Sequence, residues 1–139
     1  MIDNLITEGK RAGSIDNIIN SSSLIYAHLM KFISVRPILP GWIGTIIEQS
    51  DQLAEINNAG YWRDVMNDPI RMERIKRQAI NSYKKDGNKN AEAQFNIVHN
   101  DFYDIRKFRD KNVIKNYLIS HLDPIKDQGM IDHIEEKFR

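Results

Sequence analysis

Apolar residues recur at helical pitch along nearly the whole chain, and that pattern excludes most folds. Ile15, Ile18, Ile19, Ser22, Ile25, Tyr26, Leu29 and Ile33 follow one another at steps of three and four, apart from the adjacent pairs, so they line one stripe of a helix. Ile43, Ile46, Ile47, Leu53 and Ala54 make a second stripe, and Met72, Ile75, Ala79 and Tyr83 a third. Ala91, Phe95, Val98, Phe102 and Ile105 make a fourth, which fails at Arg109, where the next apolar residue is due. Val113, Ile114, Tyr117, Leu118 and Leu122 follow, then Met130, Ile131, Ile134 and Phe138. No segment alternates with period two between turn dipeptides, so no sheet is expected. With 139 residues and no biased linker, residues 1–139 are expected to fold as a single compact all-α domain, a bundle of five to seven helices.

The punctuation fits the stripes. Ser14 stands where an N-cap hydroxyl could accept an orphan backbone N–H. Ser21, Ser22 and Ser23 interrupt the first stripe and either bend the helix or let a neighbour approach. Pro37 ends this element, because the residue before a proline resists the α region. Pro40 suits a first helical turn, and a short helix is expected at Tyr61–Asn67. Asp68-Pro69 opens the clearest helix, and Gly87 closes it. Asp110 can cap another helix, and Asp123-Pro124 breaks it.

Cysteine is absent, which excludes disulfides and thiolate zinc sites and makes a reducing cytoplasm the expected compartment. The opening "MIDNLITEGKRAG" lacks a basic region followed by an apolar run, so it does not read as a secretory signal. No apolar stretch approaches the roughly 20 residues that a membrane span needs. A soluble protein without membrane association is expected.

The sequence argues against several chemistries. His28, His99, His121 and His133 lie in no metal-binding spacing, and no glutamate stands three residues before any of them. There is no nucleophile elbow and no phosphate loop; Gly41 and Gly44 are too few glycines for one. The compact helical nucleases of toxin systems place an arginine four to six residues before a histidine, and no arginine here does so. No catalytic residue, metal site or cofactor is therefore expected. Net charge is +1, but its distribution is uneven. Residues 63–121 carry thirteen basic and eight acidic side chains, while both flanking segments are mildly acidic. Arg71, Arg74, Arg77, Lys84 and Lys85 lie opposite the Met72–Tyr83 stripe. Arg106 and Lys107 begin a second cluster. Together these form a candidate nucleic-acid face, although Glu73, Asp86, Asp104 and Asp110 interrupt it.

The stretch from His28 to Ile56 holds a stiff corner, with Pro37, Pro40, Gly41 and Trp42 within six residues. Trp42 is expected to pack between the two helices and fix their angle. "HLMKF" at 28–32 and "WIGTIIEQ" at 42–49 together resemble the domain-of-unknown-function family numbered 29. The matching positions are His28, Leu29, Lys31, Trp42, Thr45, Ile46, Glu48 and Gln49, with Phe32 in place of the usual tryptophan. The match spans about thirty residues. The loop "ISVRPILPG" is more apolar than the family's, and "SDQLAEI" replaces its basic continuation. The resemblance implies an all-helical fold and brings no activity.

The expected function is that of a non-enzymatic protein-interaction or assembly module, binding a protein partner or a second copy of itself. Ile38, Leu39 and Trp42 are the candidate contact residues, since apolar groups in a loop need a covering surface. The alternative is a small nucleic-acid-associated protein using the basic face.

Overall fold

A computed structural model describes residues 2–34, 40–58, 60–85, 87, 89–103 and 105–139, apart from the side chains of 2–14, 40, 105 and 106. Among these residues the chain is all-helical, with no strand. Eight helices follow in order: α1 (Ile2–Ser34), α2 (Pro40–Asn57), α3 (Tyr61–Met66), α4 (Pro69–Lys84), α5 (Ala91–Asp101), α6 (Ile105–Arg109), α7 (Lys111–Ser120) and α8 (Gln128–Lys137). No described helix is long and apolar enough to cross a membrane.

Helix boundaries follow local chemistry where the sequence supplies it. Pro40 is the first residue of α2, where its missing N–H costs nothing. Asp68 caps α4 by accepting from the Ile70 N–H at 2.9 Å, with Pro69 next in line. Asp110 caps α7 in the same way, accepting from the Asn112 N–H at 2.9 Å. Gly60 and Gly87 adopt the left-handed region at φ 81° and 84°, which a side chain would strain. The Asp123 carboxylate accepts from the N–H groups of Ile125 and Lys126, folding the turn over Pro124.

Two boundaries depart from the sequence reading. Ser14 lies inside α1 and not at its start, because helix-compatible residues continue back to Ile2. The fourth stripe also divides into two helices, which takes the total above seven. α5 stops at Asp101, and the Phe102 N–H turns back onto the carbonyls of Val98 and His99. Phe102 leaves its stripe to meet the rings of Phe108 and Tyr117, with centroids 5.5 and 4.5 Å away. Tertiary packing of aromatics outweighs continuation of one helix here.

α1 is the central element and packs on α2, α3, α4 and α5. From Ile15 to Phe32 it buries nearly its whole circumference, leaving only Asp16, Asn17, Asn20 and Leu24 exposed and His28 and Lys31 half-buried. The three serines permit this. Ser23 Oγ bonds the Ile19 carbonyl at 2.7 Å and reaches the Ile75 carbonyl of α4 at 3.3 Å, so the two backbones lie close. Ser21 Oγ donates to Gln52 Oε1 of α2 at 3.0 Å. These small side chains let α4 and α2 approach α1. The contacts Ser21–Gln52 and Lys31–Trp42 make α1 and α2 antiparallel. Ser23–Ile75 and Ser34–Tyr83 make α1 and α4 parallel. α2 also packs on α6, α7 and α8, and so joins the two halves of the bundle.

Phe108 sits at the aromatic centre. Its ring lies 4.6 Å from Tyr26, 6.2 Å from Trp62 and 5.5 Å from Phe102. It thereby joins α1, α3 and the end of α5 through α6.

Candidate functional site

The corner holds the residues that carried the family resemblance. Lys31 Nζ of α1 stands 5.7 Å over the Trp42 ring, and the His28 ring is 6.4 Å from it. Leu29, Phe32 and Ile46 are buried, and Thr45 Oγ1 donates to the Gly41 carbonyl at 3.1 Å. The two blocks thus meet across the α1–α2 pair. Trp42 is only half-buried against the core, while Trp62 is 1 % exposed, so the deeper indole anchor lies in α3. Ile38 and Leu39 lie outside the described residues.

The basic face of α4 is largely neutralised. Arg71 Nε pairs with Asp68 at 3.3 Å, an Arg74 guanidinium nitrogen with Asp16 of α1 at 3.5 Å, and Arg77 with Glu73 at 3.8 Å. Lys84 and Lys85 are exposed at the end of the helix. Lys107 Nζ stands 5.5 Å over the exposed Tyr103 ring, away from α4 in sequence. The Arg106 side chain lies outside the described residues. The pairing leaves less free positive charge on α4 than its sequence suggests.

The same outer face carries an apolar feature that the sequence reading missed. Ile70 is 76 % exposed, and it lines a shallow hollow with Pro69, Glu73, Arg74 and Arg77. A second hollow, lined by Asn20, Ser23, Leu24, Gln78 and Ser82, opens in the neighbouring α1–α4 seam. Ile70 stands off the Met72–Tyr83 stripe, in the first turn of α4, and that misplacement is the signal in the sequence.

One part-buried polar contact ties the core to a titratable histidine. The Tyr26 hydroxyl and His99 Nδ1 are 2.9 Å apart, and the His99 ring stacks on Phe95. Burial pushes the Tyr26 phenol above its ordinary range. Burial, and then the charge of Lys76, hold the His99 imidazole below its ordinary 6.5. Lys76 of α4 is itself paired with Glu92 of α5 at 3.5 Å. The unfolded chain therefore protonates His99 first as the pH falls, so acid favours unfolding. The His99 contribution is fully present above 6.5 and is lost as the pH drops through that value towards the lower folded pKa. Urea midpoints measured from about pH 8 to about pH 5 should fall on the acid side. His99→Gln should flatten that dependence; an unchanged profile would assign it to another group.

Among the described residues no three His, Asp or Glu side chains converge as a metal site. Comparison of the chain with protein-family models, with curated proteins and with solved structures finds no match in any of the three.

Proposed function

We propose that this chain is a non-enzymatic assembly module that associates with a second copy of itself through the outer face of the α1–α4 pair. The observation that carries this reading is Ile70, a large apolar side chain left 76 % exposed beside a hollow. Burying such a side chain contributes about 1.5–3 kcal/mol. The rim around it bears both signs, Arg74 and Arg77 against Asp16 and Glu73. A two-fold axis lying between the positive and the negative groups of such a rim sets each against its opposite on the copy, which suits self-association. Leu24, 38 % exposed, extends the apolar contact along the seam.

The corner around Ile38, Leu39 and Trp42 is the second proposed face for a protein partner. Membership of the family numbered 29 belongs with this reading, supported by the meeting of its two blocks across α1 and α2; so does a cytoplasmic location. Nucleic-acid binding is the competing function, favoured by exposed Lys84 and Lys85 at the end of α4.

Sedimentation velocity across a concentration series decides the matter. The wild-type chain should shift towards a dimer with rising concentration, and Ile70→Asp should abolish the shift while preserving the helical circular dichroism signal. A wild-type chain that remains monomeric throughout would remove this reading. Salt-sensitive binding to duplex or single-stranded DNA or RNA, lost in a Lys84→Glu, Lys85→Glu variant, would replace it with the nucleic-acid one.

A further inference from the structure

We propose that the cleft between the end of α2 and the α6–α7 elbow binds a small hydroxyl- or amino-bearing molecule through its carboxylate or phosphate group, gripped by Arg109. The cleft has a volume of about 390 Å³ and is lined by Ala54, Asn57, Asn58, Arg109 and Asp110. That volume falls within the usual range for small-molecule sites.

Arg109 is the residue that breaks the fourth apolar stripe, and its side chain is half-buried at the end of α6. A partly desolvated cation is costly unless it is paired. Arg71, Arg74 and Arg77 each have a carboxylate, and Lys111, two residues beyond Arg109, is paired with Asp51. Among the described residues the Arg109 side chain makes no ion pair or hydrogen bond. It does not serve the end of α2 either: the Ala54 and Asn57 carbonyls there accept from the backbone N–H groups of Asn58 and Gly60.

The rest of the lining suits a bifunctional ligand. A guanidinium offers a planar fork of donors that matches a carboxylate or phosphate. The Asn57 and Asn58 side-chain amides, each able to donate and accept, have no hydrogen-bond partner among the described residues. Asp110 spends Oδ1 on its capping bond to the Asn112 N–H, and its other oxygen remains an acceptor. A bare anion would be repelled there, whereas a hydroxyl or amine beside the anionic group would donate to it. The selected ligand therefore carries an acid at one end and a hydrogen-bond donor a few bonds away.

The test is a heteronuclear NMR titration of the full chain with lactate, with glycerol phosphate and with inorganic phosphate. Saturable shifts centred on the Asn57 and Asn58 side-chain amides and Arg109 Nε–H are expected with lactate or glycerol phosphate. The one that saturates names the acid class. Inorganic phosphate, which lacks the separate donor group, should bind more weakly. Arg109→Met should weaken binding about tenfold or more, since a charged hydrogen bond carries at least one such factor. Arg109→Lys, which keeps the charge and loses the fork, should fall between, and guards against a variant that disturbs the fold. The proposal is overturned if no probe saturates, if shifts spread equally to Lys84 and Lys85, or if both variants bind as the wild type does.

Discussion

Phe108→Ala is expected to lower the unfolding free energy by about 3–5 kcal/mol, the usual cost of deleting a buried aromatic ring. Phe108 is 1 % exposed and touches rings from α1, α3 and the end of α5. Removing it takes apolar surface away from three neighbours at once and leaves a void. Tyr26, Trp62 and Phe102 are held by other contacts, so collapse into that void is restricted. Tyr26 in particular is fixed by Phe95, 4.7 Å away, and by its contact with His99. Against a typical total stability of about 5–15 kcal/mol the loss is large. Urea unfolding followed by circular dichroism should show a much lower midpoint at unchanged slope. A loss below about 1 kcal/mol would mean that α6 does not organise the core.

The elements legible in the sequence are those set by bonds within a few residues. Asp68-Pro69 and Asp110 mark helix starts because a carboxylate reaches an N–H two positions on, and that reach depends only on local geometry. The apolar stripes identify Ile75, Ala79, Tyr83, Phe95, Val98, Ile114, Leu118 and Ile134 as core, and each is buried. What the stripes do not carry is which faces meet. α1 is buried around most of its girth because Ser21, Ser22 and Ser23 allow close neighbours, and serines alone do not say whether they bend a helix or admit one. The break after Asp101 depends on Phe108 and Tyr117, which lie further along the chain.

The candidate sites were legible to a smaller degree for the same reason. Arg77 and Glu73 are one helical turn apart, so their pairing follows from sequence spacing. The Arg74–Asp16 pair joins α4 to α1 and requires the tertiary fold. Arg109 announced itself as a polar residue on an apolar stripe, but the cleft it lines also needs Asn57 and Asn58 from the end of α2.

The two tryptophans should separate sharply. Trp62→Ala is expected to cost about 3–5 kcal/mol, while Trp42→Ala should cost about 1–2 kcal/mol. Each stands within two residues of a glycine at a helix start, and the sequence reading assigns a packing role only to Trp42. Burial ranks Trp62 first: it is 1 % exposed and stacks against Phe108, whereas Trp42 is half-buried with Lys31 over its ring. A half-exposed indole has already kept part of its surface in water, so truncation returns less area to solvent. Its cation–π contact adds about 0.5–1 kcal/mol at an exposed site. Lys31→Met in the Trp42→Ala background should then add little, because the partner ring is gone. Intrinsic fluorescence of the single-tryptophan variants Trp42→Phe and Trp62→Phe gives an independent reading. The variant retaining Trp62 should emit further to the blue and resist aqueous quenchers, and the one retaining Trp42 should be quenched readily. Equal stability losses and equal quenching would place Trp42 in the core beside Trp62 and make the α1–α2 corner an anchor of the same weight as the Trp62–Phe108 contact.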